Sequence, residues 1–224
     1  PWVIFQHTMM EIGKNIPLTV GVYIVLCVFA FALYGYVVRR HVMFINAPKK
    51  IIGVILCALT ILAISNPALS YDIFNYIFDA RLVLVYHKDP HFTAAFDYMQ
   101  TDEWTRFMRN VFFPTTYGYV WTALSLVPSL LGFGKFVLTF LAFKAYAGIG
   151  LGLLLYIQWK ILIRYGKGSS KKNFLSLFLF FGSPFVLIEV LSSGHNDVFM
   201  MVLAFASLFL LFPGNLFVGQ TIPK

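Results

Sequence analysis

The run IPLTVGVYIVLCVFAFALYGYVV, residues 16–38, holds no charged side chain and is followed at once by Arg39, Arg40 and His41. As a helix it is about 35 Å long, enough to cross the roughly 30 Å hydrocarbon core of a bilayer. Reading it as a membrane span decides the fold class. The next apolar run, residues 51–65, opens after Lys49 and Lys50, so basic residues bracket the connection between the two runs. Lys and Arg concentrate in short cytoplasmic loops, which places this connection inside and both the N-terminus and the segment after Asn66 outside.

Composition points the same way. Of the 224 residues 59% are hydrophobic and 12% charged, about half the charge of a soluble domain. The 17 Lys+Arg outweigh the 9 Asp+Glu, but the basic residues flank apolar segments, where membrane orientation accounts for them and nucleic-acid binding does not. Cys27 and Cys57 each sit inside an apolar run, which excludes a disulfide framework. No cleavable signal sequence is evident. The chain begins at Pro1 and stops at Lys224 just after an apolar segment, the pattern of the N-terminal part of a longer chain. Residues 1–224 are read as one transmembrane domain, with 67–116 as an extracytoplasmic loop subdomain within it.

A second basic cluster, Lys160, Arg164, Lys167, Lys171 and Lys172, is also expected in the cytoplasm. Residues 174–191 then exit, delivering Gly194, His195, Asn196 and Asp197 to the outer boundary, and 198–212 return. The nine acids fall on or near the outer side in this arrangement. Between Asn66 outside and Arg164 inside lie two apolar segments, where an odd number of crossings is required. Residues 117–133, with Gly118, Pro128 and Gly132, are therefore expected to be re-entrant or broken, leaving 136–159 as the crossing. The alternative is two full crossings with the basic cluster outside.

The outer stretch 66–116 is too long for a simple connector. Ser70 is expected to cap a helix over 71–86 in which Asp72, Asn75, Tyr76 and Asp79 recur at i, i+3, i+4 and i+7. That pattern reads as an amphipathic helix on the membrane surface, its polar stripe wet and Arg81 turned away from it. Pro90 ends the helix, and a second interfacial helix is expected over 97–109.

Each polar residue has two readings. Asp72 either answers a helix N-terminal dipole or is a catalytic carboxylate. Asp79 reads as a solvated or salt-bridged group. Arg81 pairs with an acid or binds a lipid phosphate. Lys88 is a snorkelling anchor or a phosphate contact. His87 and His91 have the spacing of a helical metal pair, but Pro90 interrupts any helix there, and no metal site is expected. Glu189 lies in an apolar segment, where an ionisable group marks either function or a structural hydrogen bond, and Glu189 and Lys144 together can also mark a substrate pathway of the transporter kind. Asn196 and Asp197 read as helix caps or as site residues.

Over residues 66–212 these elements resemble the GT-C class of integral-membrane glycosyltransferases, specifically the polyprenol-phosphate-mannose-dependent α-mannosyltransferases of bacterial and archaeal envelopes. Ser70-Tyr71-Asp72-Ile73-Phe74-Asn75-Tyr76, followed by Ala80-Arg81, is similar to the family's acidic residue before a Tyr-rich helix and its Gly-Arg. Lys88-Asp89-Pro90-His91-Phe92 resembles an Asn-Pro-Tyr turn, and Pro114-Thr115-Thr116-Tyr117-Gly118-Tyr119 resembles Ser-Pro-Tyr-Gly-Pro. Ser183-Pro184-Phe185 and Gly194-His195-Asn196-Asp197 match the Asn-Pro and Gly-Ala-His-Asn-Asp elements.

The resemblance implies an all-α, polytopic membrane protein with GT-C-like helices and an extracytoplasmic loop carrying interfacial helices. It implies transfer of a sugar, mannose by inheritance, from a polyprenyl-phosphate donor to a glycan or glycolipid acceptor on the outer side of the cytoplasmic membrane. Asp72 would be the general base, Arg81 and Lys88 phosphate contacts, and Tyr117, His195, Asn196 and Asp197 the lining of the sugar-phosphate pocket. Asp79 and Glu189 complete the substrate-binding candidates. No cofactor is expected, a divalent metal is not indicated, and no Gly-rich loop is present to bind a nucleotide sugar. Such a reaction needs a base for the acceptor hydroxyl, donor groups for the leaving phosphate, and a site at headgroup level. Two rivals remain: a transporter or flippase of a lipid-linked or polar substrate, which the one-sided acids disfavour, and a non-catalytic membrane subunit. The enzyme reading requires Asp72 and His195, Asn196 and Asp197 to converge on one site.

Overall fold

The computed structural model describes residues 15–40, 57, 59–67, 70–165 and 170–211. The expected inner connection at 41–50, residues 51–56 and 58 of the second apolar run, and Lys167 lie outside the described residues. Every regular element among the described residues is helical, and the protein is an all-α membrane protein.

Helix α1 spans Ile16–Arg39, with Pro17 in its first turn, and its Leu18 N–H is accepted by Asn15 Oδ1 at 3.1 Å. None of its residues is buried, and Val25, Val28 and Phe29 are each about two-thirds exposed. An apolar helix with an apolar exposed surface is stable in lipid and not in water. Helix α2 spans Asp72–Leu84, α3 Tyr119–Leu131, α4 Phe136–Tyr165, α5 Ser170–Phe181 and α6 Asp197–Leu211. At 30 residues, α4 is a second helix long and apolar enough to cross a bilayer. A third span forms if Leu175–Phe181 and Pro184–Ser192, bent by 48° at their junction, count as one. Pro184 disfavours helical backbone at Ser183, whose ψ of 131° makes the break.

The break therefore falls in the segment expected to be a regular span, whereas 117–133 holds a single continuous helix. That helix, α3, is about 20 Å long, short of a roughly 30 Å hydrocarbon core, and it encloses Pro128. It turns back onto α4 at Gly132, where a Cβ would lie 1.9 Å from Thr139 Oγ1. Only glycine permits so close a hairpin.

Helix α2 departs most from expectation. Ile73, Tyr76, Ile77, Phe78, Ala80 and Leu82 are all at most 1% exposed, so it is the central helix and not a surface one. It packs against α3, α4 and the 3-10 turn Glu103–Phe107. Tyr76 and Asp79 of its polar stripe are buried, Tyr76 bonding Asn196 in place of the water that the periodicity suggests, while Asp72 at the helix start stays partly exposed. The expected second interfacial helix is instead two 3-10 turns, Ala95–Tyr98 and Glu103–Phe107, the latter capped by Asp102 Oδ1 at 3.0 Å from Trp104 N. Ser70 Oγ takes the Asp72 N–H at 3.2 Å, from one position before the cap residue Tyr71. At the other end, His87 adopts φ 55° and Lys88 N–H returns to Leu82 O at 3.0 Å, so the helix closes before Pro90 is reached.

Candidate active site

Two parts of the chain meet at the N-terminus of α2. Residues 187–192 form a π-helical turn, a form common at functional sites, and it carries Glu189. Gly194 follows with φ 73°, and a Cβ there would lie 3.0 Å from Ile73 Cδ1, so the turn after Ser192 rests directly on α2. That contact brings His195 into a group of acids. His195 Nδ1 lies 3.7 Å from Asp72 Oδ2 and 3.9 Å from Asp197 Oδ2, and Nε2 lies 3.2 Å from Glu189 Oε2. The imidazole is 18% exposed and Asp72 37%, which leaves the carboxylate open to a substrate. Asn196 Oδ1 accepts the Tyr76 hydroxyl at 3.1 Å, a second tie between the segments.

An aromatic wall closes one side. Tyr76 meets Tyr117 edge-on at 4.7 Å and Trp121 at 5.0 Å between ring centroids. Burial, then the Asp72 carboxylate, pushes the Tyr117 phenol up to about 12, and burial with the neighbouring Tyr117 and Asp72 raises Tyr76 further. Both phenols are neutral hydrogen-bond donors at pH 7. Asn75 Oδ1 and Trp121 Nε1 are buried without a hydrogen-bond partner among the described residues. Unsatisfied buried polar atoms are rare and costly, and these two border the site.

Tyr117 is held from behind. His91 bridges Asp89 Oδ1 at 2.9 Å and Tyr117 O at 2.8 Å, and its ring stacks on Tyr119 at 3.8 Å. His91 is thus part of a loop tether, and His87 is exposed.

The remaining candidates lie elsewhere. Asp79 is 8% exposed and has no ion pair among the described residues, against the expectation of a solvated or salt-bridged group: burial pushes its carboxyl up to about 7 against the lowering effects of Thr115 and His91. Arg81 is about 13 Å along the helix axis from Asp72. Its Nε donates to Asp102 Oδ2 and its guanidinium lies 4.1 Å from the Trp104 ring, so of its two readings the acid pair is the one seen. Burial pushes the Asp102 carboxyl up, but Arg81, the Trp104 N–H and the Tyr86 hydroxyl outweigh it and hold the group below the usual range. Lys88 is exposed on the turn after α2.

Several residues here have surroundings that the sequence does not indicate. Tyr76 and Asn75 enter the sequence reading through the polar stripe and the motif around Asp72, with no role of their own. Arg109, exposed, places its guanidinium 4.0 Å over the ring of Tyr71, the residue before Asp72 in the chain, which no sequence spacing indicates. Lys144, 2% exposed, donates from Nζ to the carbonyls of Leu191 and Ser192.

Neither the curated proteins nor the solved structures contain a match to this chain. The profile of a family described as alpha-(1->6)-mannopyranosyltransferase, N-terminal domain, matches residues 2–223. With that match over nearly its whole length, an all-α membrane architecture and a carboxylate–histidine group assembled from distant segments, the chain belongs to the alpha-(1->6)-mannopyranosyltransferase family, in the region of its N-terminal domain.

Proposed function

We propose that this chain moves a mannosyl group from a polyprenyl-phosphate donor to an extracytoplasmic glycan or glycolipid acceptor, with Asp72 as general base. One observation carries the reading beyond the family: Asp72 Oδ2 stands 3.7 Å from His195 Nδ1, although the two residues are far apart in the chain. In the reaction the acceptor oxygen bonds to the anomeric carbon as its proton passes to Asp72, and the bond from that carbon to the phosphate oxygen breaks. Polyprenyl phosphate leaves with the electron pair. Attack opposite the leaving group inverts the anomeric centre, so a β-linked donor gives an α-mannoside.

The surroundings fit these demands. His195, set among Asp72, Glu189 and Asp197, orients the base. Asn75 Oδ1 and Trp121 Nε1 offer an acceptor and a donor to sugar hydroxyls. Arg109 is better placed than Arg81 for the leaving phosphate, and Lys88 is free to meet a headgroup. Lys160 and Arg164 near the C-terminal end of α4 support a cytoplasmic location for that end, and with it an outer location for the acidic group. There the donor's polyprenyl chain stays in lipid.

The test is incubation of the protein in lipid nanodiscs with radiolabelled polyprenyl-phosphate mannose and a membrane-derived glycan acceptor. Wild type should move label to the acceptor, and Asp72→Asn should lose about 10²- to 10⁴-fold in rate while still binding donor. Undiminished transfer by Asp72→Asn refutes the base assignment. Failure of wild type with this donor, alongside transfer from a nucleotide sugar, refutes the donor class.

A further inference from the structure

An ammonium group within a membrane-crossing helix is costly unless its donors are used. Lys144 in α4 is 2% exposed, and its described hydrogen-bond partners are both main-chain carbonyls: those of Leu191 and Ser192, the latter at 2.6 Å. These carbonyls belong to the end of the Pro184–Ser192 helix, where acceptors outnumber the N–H groups that follow. Backbone bonds account for the preceding ones: Ser193 N–H goes to Ile188 O at 2.8 Å, Gly194 N–H to Val190 O at 3.2 Å and His195 N–H to Glu189 O at 3.1 Å. Lys144 takes the two carbonyls that this pattern leaves over. The amine thus sits immediately behind the turn that carries His195 and Asn196, while Gly194 sets the front of the same turn against Ile73.

We propose that Lys144 is a positioning residue for mannosyl transfer: by binding the Leu191 and Ser192 carbonyls it locks the 193–196 turn and so sets the separation of His195 from Asp72. This inference rests on the transferase reading above. The described hydrogen bonds of the amine go to these carbonyls and not to Asp72. Its effect passes through the backbone, which separates it from a pathway cation of the transporter kind.

Lys144→Met keeps the side chain out to the ε position and removes its donors, and Lys144→Gln keeps a donor on a shorter stem. Both are compared with wild type in nanodiscs by amide hydrogen exchange and by steady-state transfer from polyprenyl-phosphate mannose. In Lys144→Met the amides of Ser193, Gly194 and His195 should exchange about 10- to 100-fold faster, with those of α2 unchanged. The turnover number should fall about 10²-fold, as expected for an ångström-scale misplacement, with the donor KM unchanged. Lys144→Gln should fall between, and it decides by the same readouts if the Met variant does not fold. Unaltered exchange at the turn overturns the proposal, as does faster exchange with wild-type turnover. A wild-type protein that transfers no mannose refutes the functional reading instead, and the exchange data still decide whether Lys144 holds the turn.

Discussion

Replacing Gly194 by Ala tests how closely the His195 turn must rest on α2. Two separate costs are expected. The backbone at φ 73° is natural for glycine and costs an L-residue about 1 kcal/mol. The new Cβ would also stand 3.0 Å from Ile73 Cδ1, so the turn or the isoleucine end must move by a few tenths of an ångström. Ile73 is fully buried on the central helix, which leaves it little room to retreat, so the turn should carry most of the shift. Together these give a destabilisation of about 1–3 kcal/mol. The rate should fall by more than the stability does, because a displaced turn carries His195 away from Asp72, and misplacement toward 1 Å costs up to about 10²-fold. The assay pairs thermal unfolding in detergent with mannosyl transfer per folded molecule, for Gly194→Ala, Ile73→Val and the double variant. Ile73→Val removes the Cδ1 that the new methyl meets, so the double variant should recover most of the lost rate while keeping the backbone cost. A double variant no more active than Gly194→Ala refutes the contact argument, and a Gly194→Ala protein with wild-type rate refutes the requirement for close apposition.

Asp79 provides a pH test. Its carboxyl is raised from 3.8 to about 7, so the folded protein holds a proton that the unfolded chain has released, and stability falls as pH rises from about 4 through 7. Asp79→Asn should flatten that slope and unfold at a higher temperature than wild type at pH 8, and parallel profiles for the two proteins would contradict it. Arg81→Ala should cost about 3 kcal/mol by leaving Asp102, 3% exposed, without its cation, yet leave the donor KM near wild type. Arg109→Ala should do the reverse, with stability within about 0.5 kcal/mol and a donor KM raised several-fold. The reverse pattern in titrations of donor would restore Arg81 as the phosphate contact.

Much of the architecture is legible in the chain itself because lipid imposes long uncharged runs, and Ile16–Arg39 and Phe136–Tyr165 declare themselves that way. The pairing of Asp72 with the His195 turn is reachable only through the motif resemblance, since nothing local in either segment points to the other. The burial of α2 escaped for a physical reason. A polar stripe at helical spacing has the same pattern whether water or Asn196 and Thr115 satisfies it. Arg81 and Asp102 are an acid and a base among several in the loop, and only the folded path of the chain selects the pair. Lys144 was visible as an anomaly, but its partners are carbonyl groups, which every residue has and no sequence pattern reveals.

The π-turn at 187–192 has a cost and a return that are worth separating. Relative to an α-helix it contains one surplus residue, and each residue of an α-helix advances the side-chain direction by about 100°. Shortening the segment by a single position would give a tidier helix with better-aligned carbonyls. It would also swing Glu189 about a quarter-turn off the imidazole it now faces at 3.2 Å. Local regularity is surrendered here for the aim of one carboxylate, and a length change in this stretch should therefore be more damaging than most substitutions within it.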